Sequence, residues 1–268
     1  MLKECFYSTK TVFNFVLTTL IILSPKLSYG EADVLESINF EKISDEVNQI
    51  FSDFTSDLNK KNLGDLINLF AFDFELNKYF IESLQKSTEG QNFDQQVIAN
   101  KMKNVQGNFQ TFQNNCDQKT LESHSAIQQV IGKALPENLM KAMKETQNSF
   151  ATLLKQSEKS KNKKEAAELE KQFFILQRKM FSEGTQITTL TNKIKTHIYR
   201  ILYAKTEQLC KQCLVKKVSI DGIISINKRK AQVIHPDQAD KIIFEAERLT
   251  NDMFTQLSEK TTDEEEVS

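Results

Sequence analysis

AAELEKQFFILQRKMFSEGTQITTLTNKIKTHIYRI, residues 166–201, is the stretch that decides the fold. Ala166, Leu169, Phe173, Leu176 and Met180 step by threes and fours, and Ile187, Leu190, Ile194, Ile198 and Ile201 resume with similar spacing. A helix turns once per 3.6 residues, so these positions share one face. The pattern predicts a coiled-coil-like arm of about five heptads, interrupted near Glu183-Gly184. Upstream, Leu139, Met143, Phe150, Leu153 and Leu154 mark a second stripe. Pro136-Glu137 reads as its start, because Pro is tolerated in the first helical turn. Between the stripes, SEKSKNKK (157–164) has no apolar residue and makes a hairpin tip. An antiparallel helical hairpin is the economical arrangement.

The same reading extends toward both ends. Residues 33–60 show an amphipathic stripe of Ile43, Val47, Ile50, Phe51, Phe54 and Leu58. Residues 65–86 fit two periods: Phe70, Phe72, Phe74 and Leu76 alternate as a strand would. Leu63, Ile67, Phe70, Phe74, Ile81 and Leu84 suit a helix, and helix is favoured because no partner strand lies nearby. Residues 88–92 read as a loop. Val97, Ile98, Met102, Val105, Phe109 and Phe112 then keep helical spacing through 93–115. Near the end, Ile242, Ile243, Ala246, Leu249, Met253 and Leu257 predict one more amphipathic helix. Seven Gly, three Pro and no Trp leave few breakers, which suits long helices rather than strands. The expected class is all-α: a helical bundle, then a long coiled-coil-like helical hairpin, then a short C-terminal helical module.

The first thirty residues read as an export leader. Lys3 and Lys10 precede an apolar run from Val12 to Leu23, and Ser28-Tyr29-Gly30 gives a small-x-small exit. The run is shorter than the roughly 20 apolar residues a bilayer span needs. Its removal leaves Cys116, Cys210 and Cys213, an odd number and too few for a disulfide scaffold. The expected compartment is periplasm, endoplasmic-reticulum lumen or extracellular space, with membrane contact only through the leader.

A net charge of −1 conceals an asymmetry. Residues 31–118 carry about −8, residues 119–230 about +12, and residues 231–268 about −7. The positive middle can attract an anionic partner, or the segments can attract one another within a molecule or between copies. The expected organisation is therefore a leader (1–30), an acidic helical part (31–118), a basic hairpin (119–214), a C-terminal module (215–258) and a disordered acidic tail (259–268), the boundary between the acidic and basic parts lying at 116–122.

Signatures of catalysis are missing. There is no Gly-x-Ser-x-Gly, no phosphate-cradling glycine loop and no His-x-x-x-His. The acidic residues lie at solvated helix spacing, so an enzyme is not expected, and neither cofactor nor metal is. Cys210-Lys211-Gln212-Cys213 has redox spacing but sits far along a predicted helix, not at a strand-to-helix junction. An incidental or structural role, a disulfide, and redox or metal chemistry all remain open for it. His124, His197 and His235 are scattered singly, short of a zinc set.

The sharpest local motif is His235-Pro236-Asp237, after Lys228-Arg229-Lys230 and before the last predicted helix. Basic helix, His-Pro-Asp and second helix together resemble a J-domain over about residues 215–258. The likeness leans toward the auxilin-like variety, with Val218-Ser219-Ile220-Asp221 leading into the basic helix. This resemblance implies that Lys228, Arg229 and Lys230 dock on an acidic surface of a DnaK-type chaperone. His235, Pro236 and Asp237 would contact its ATPase. A more diffuse resemblance to the Skp/OmpH periplasmic chaperones covers about residues 119–257: Gln128-Gln129-Val130-Ile131 through Pro136-Glu137, a charged hairpin, then Ile223 to Ile234. It implies a trimer whose arms hold unfolded clients. The two likenesses read residues 223–234 differently, as helix or as β-hairpin.

The sequence thus predicts an exported, non-enzymatic protein that binds proteins, chaperone-like in the broad sense. No nucleic acid is expected, and homo-oligomerisation is compatible. The competing expectations are a J-domain co-chaperone, a Skp-like holdase, and a coiled-coil scaffold or secreted effector.

Overall fold

The computed structural model describes residues 38–56, 60–88, 95–157, 163–214 and 233–266. All regular structure among them is helical: α1 (Phe40–Thr55), α2 (Lys60–Thr88), α3 (Gln95–Gln113), α4 (Gln118–Ala134), α5 (Glu137–Ser157), α6 (Lys163–Leu209), α7 (Lys211–Leu214) and α8 (Pro236–Glu266). The all-α expectation is met. The proposed leader, residues 215–232 and the tip residues 158–162 lie outside the described residues.

Two compact units divide the chain. One, Leu135–Thr191, contains α5 and the first part of α6; the other joins Asn39–Ala134 to the chain from Asn192 onward. The 116–122 segment is the short turn from α3 into α4 inside the second unit. There the Asp117 carboxylate accepts from the Thr120 backbone N–H at 2.9 Å, capping α4.

α2 is the centre of the second unit. Every residue from Leu63 to Phe72 is buried, and α3, α4, α7 and α8 all pack on this helix. A helix covered on every side needs apolar residues all round, which erases the single stripe of a surface helix. That is why this segment also reads as alternation. The nitrogens of its buried amides find local acceptors, Asn68 Nδ2 donating to the Gly64 carbonyl and Asn77 Nδ2 to the Asp73 carbonyl, each at 2.8 Å. The Oδ1 atoms of both are buried with no donor among the described residues. α1 lies against α4, burying Ile43, Val47, Phe51 and Phe54, its sequence-predicted face.

Three details depart from the expected pattern. α6 runs unbroken for 47 residues through Glu183-Gly184. Gly184 is buried, and a Cβ there would lie 3.6 Å from Met143 Cε of α5, so the small residue admits a neighbour without ending the helix. Val97, assigned to the apolar stripe of its helix, is 49% exposed. Met102, Val105 and Phe112 alone among the described side chains of that stripe are buried. Finally, α8 continues to Glu266, so most of the acidic stretch expected to be disordered is helical. Beyond Pro236 no Gly or Pro interrupts it, and Glu and Lys favour helix.

Candidate functional site

The second part of α6 clasps its unit together, one residue after another. Lys195 Nζ meets Asp73 of α2 at 3.0 Å. His197 Nε2 lies 2.8 Å from Ser44 Oγ of α1, its ring edge-on to Phe40. Tyr199, fully buried, donates its hydroxyl proton to the Ile234 carbonyl and sets its ring against Phe74. Arg200 bridges to Asp237 and Asp240 at the start of α8. Tyr203 meets the His235 ring edge-on at 5.4 Å. The positive middle of the chain therefore meets both negative ends inside one unit, at Lys195–Asp73 and at Arg200 with Asp237 and Asp240.

This clasp positions the His-Pro-Asp motif. Pro236 opens α8, and its fixed φ suits a first helical residue whose missing N–H would have no partner there. The His235 carbonyl accepts from the Gln238 and Ala239 N–H groups at 2.9 and 3.1 Å, while His235 Nδ1 lies 3.3 Å from the Asp237 N–H. The His235 and Asp237 side chains stay exposed, at 56% and 65%, whereas Pro236 is buried. Lys228, Arg229 and Lys230, expected as a docking surface, lie outside the described residues. Arg200, Tyr203 and Asp240 escaped sequence reading because their partners are some 30 to 40 positions away.

The three histidines occupy separate sites. His124 of α4 is buried against the rings of Phe70 and Phe109, near Gln128. Burial holds its pKa below 6.5, with Asp73 opposing that shift and Lys195 reinforcing it. Burial likewise lowers His197, opposed by the Phe40 carbonyl and reinforced by Arg200. Among the described residues no three His, Cys, Asp or Glu side chains gather as a metal site.

Cys210 and Cys213 form a disulfide across the break between α6 and α7, with Cys210 buried and Cys213 half-buried. α7 packs on α2, where a Cβ on Gly64 would stand 3.7 Å from Cys213 Cβ. The bond thus fixes the final turn onto the central helix. Cys116 is outside any disulfide, its thiol 3.4 Å from the Phe112 carbonyl.

The hairpin unit offers a different surface. Phe150, buried on α5, faces the Phe173 ring of α6 at 4.7 Å, and Phe173 meets Phe174 at 6.3 Å, nearly perpendicular. Phe174 and Ile175 remain 52% and 65% exposed. Of the positive excess, residues 135–191 carry only about +3 and residues 192–230 about +8. Among the described residues no helix is long and apolar enough to cross a membrane.

No family model, no curated protein and no solved structure matches this chain.

Proposed function

We propose that this chain is an exported, non-enzymatic protein that works by binding other proteins, chaperone-like in the broad sense. The exposed Phe174–Ile175 pair on the hairpin carries this reading. Single exposed apolar residues are ordinary, but two large neighbours on a charged helix form a patch that a partner can cover. The clients of a holdase, or a folded partner, would meet the protein here. The test is suppression of aggregation of a chemically denatured client by the mature chain, beside a Phe174→Ser/Ile175→Ser variant. Suppression lost in the variant supports the reading. Self-association without any effect on clients favours a scaffold or effector instead.

A J-domain co-chaperone is the second reading, favoured by the exposure of His235 and Asp237 at the head of α8. It predicts that the mature chain stimulates a DnaK-type ATPase and that His235→Gln abolishes the stimulation. An equal rate for both proteins removes it.

A further inference from the structure

We propose that the Cys210–Cys213 disulfide is an exchangeable pin: a dithiol opens it in the folded protein and releases the end of α6 from α2. The proposal stands apart from the protein-binding reading. The local sequence does not ask for the helix break that the bond spans. Between Gly184 and Gly222 there is no Gly or Pro, and Lys205, Glu207, Gln208, Leu209 and Lys211 all favour helix. Yet α6 stops at Leu209, and the Cys213 N–H donates to the Cys210 carbonyl, three residues back, at 2.9 Å. A continuing helix would use the Leu209 carbonyl, four back. The bond therefore holds the chain in a turn that its residues do not prefer, against Gly64 of α2.

The two sulfurs are unequally placed, since Cys210 is buried and Cys213 only half-buried. A thiolate of the dithiol attacks Cys213 Sγ and forms a new S–S bond there. The old bond breaks, and its electron pair leaves on Cys210 Sγ, which takes up a proton. A monothiol stops at this mixed disulfide, where the neighbouring Cys210 thiol displaces it again. A dithiol goes further: its second thiolate attacks its own bonded sulfur, closes a cyclic disulfide and frees Cys213, which is protonated in turn. The cysteine pair gains two electrons and two protons, and the dithiol loses them. The rest of the unit does not depend on this bond. The Lys195–Asp73, Tyr199–Ile234 and Arg200–Asp240 contacts all lie upstream of Cys210 on α6, and α3, α4 and α8 still pack on α2. Opening is thus local, loosening the first turns of α2 around Gly64.

The experiment treats the mature full-length chain with dithiothreitol or with glutathione, traps thiols by alkylation and maps them by peptide mass. Dithiothreitol is expected to free Cys210 and Cys213 together while circular dichroism shows the chain still folded. Glutathione, quenched during the reaction, should be found on Cys213 and not on Cys210. In the reduced chain, amide hydrogen exchange at residues 64–68 of α2 should rise about tenfold or more beyond any rise at residues 43–51 of α1. Cys210→Ser/Cys213→Ser should show the reduced pattern with or without dithiothreitol. Reduction only in denaturant, glutathione on Cys210, or an equal rise in exchange at both helices overturns the proposal. So does a reduced chain that exchanges like the oxidised one. If the double variant fails to fold, reduction of the parent decides alone.

Discussion

The Tyr199 hydroxyl reaches the Ile234 carbonyl at 2.7 Å, tying the end of α6 to the entry of α8 across 35 residues of chain. Burial pushes this phenol far above its ordinary range, with the Ile234 hydrogen bond pulling the other way, so the donor proton stays in place at alkaline pH. Tyr199→Phe keeps the ring against Phe74 and leaves a buried carbonyl without its donor. It should cost about 1 to 3 kcal/mol in urea unfolding, with an unchanged m-value.

Acid should weaken the second unit through its histidines. His124 and His197 both have folded-state pKa values below the 6.5 of an unfolded chain. The folded state therefore binds fewer protons, and their contribution is complete above about 6.5. It declines as pH falls below that value, until the folded-state pKa is passed. Thermal melts between pH 7.5 and 5 should show a falling Tm, and His124→Gln should flatten the slope. A slope unchanged in His124→Gln and His197→Gln together would place the acid sensitivity elsewhere.

The Cys210–Cys213 bond closes a very short loop, for which chain entropy gives about 2 kcal/mol. Cys213→Ser should lose about that amount. A reductant should lower the stability of the parent by a similar amount and leave the variant unaffected. Equal melting of parent and variant under oxidising conditions would show that the turn holds without the bond.

Gly107 lies within α3, where an added Cβ would meet nothing within 4 Å. Gly107→Ala should stabilise by about 0.5 to 1 kcal/mol, since Ala is the better helix former and the site is open. Gly132, equally open but in the last turn of α4, should gain less. A loss at Gly107 would overturn the reading of this site as open.

The helices were legible wherever one face is buried and the other wet. Ile43, Val47, Phe51 and Phe54 on α1, and Ile243, Ala246 and Leu249 on α8, form such faces. α2 was ambiguous for the opposite reason, since burial on all sides removes the contrast that periodicity measures. The break expected near Glu183-Gly184 follows from the gap in the apolar stripe between Met180 and Ile187, whereas close approach of Met143 gives that glycine a place inside a helix. Pro136-Glu137 announced the start of α5 correctly. The Arg200 clasp, which engages Asp237 and Asp240, left no local trace, because ion pairs between distant segments have no sequence period. The adjacent apolar residues Phe174 and Ile175 were visible in the sequence, but only packing separates them from Phe173 beside them.

The unit built around α2 is discontinuous in sequence: the chain leaves it at Ala134 and re-enters at Asn192. Its centre therefore emerges early, while a helix that covers it, α8, begins roughly 150 residues later. At a synthesis rate of about 5 to 20 residues per second, α2 waits about 7 to 30 s for that cover. During this interval the growing chain carries a helix built to be surrounded, with part of its surround still unmade. The nascent protein is thus at its most adhesive before its own last helix exists, a hazard of timing that the finished structure no longer shows.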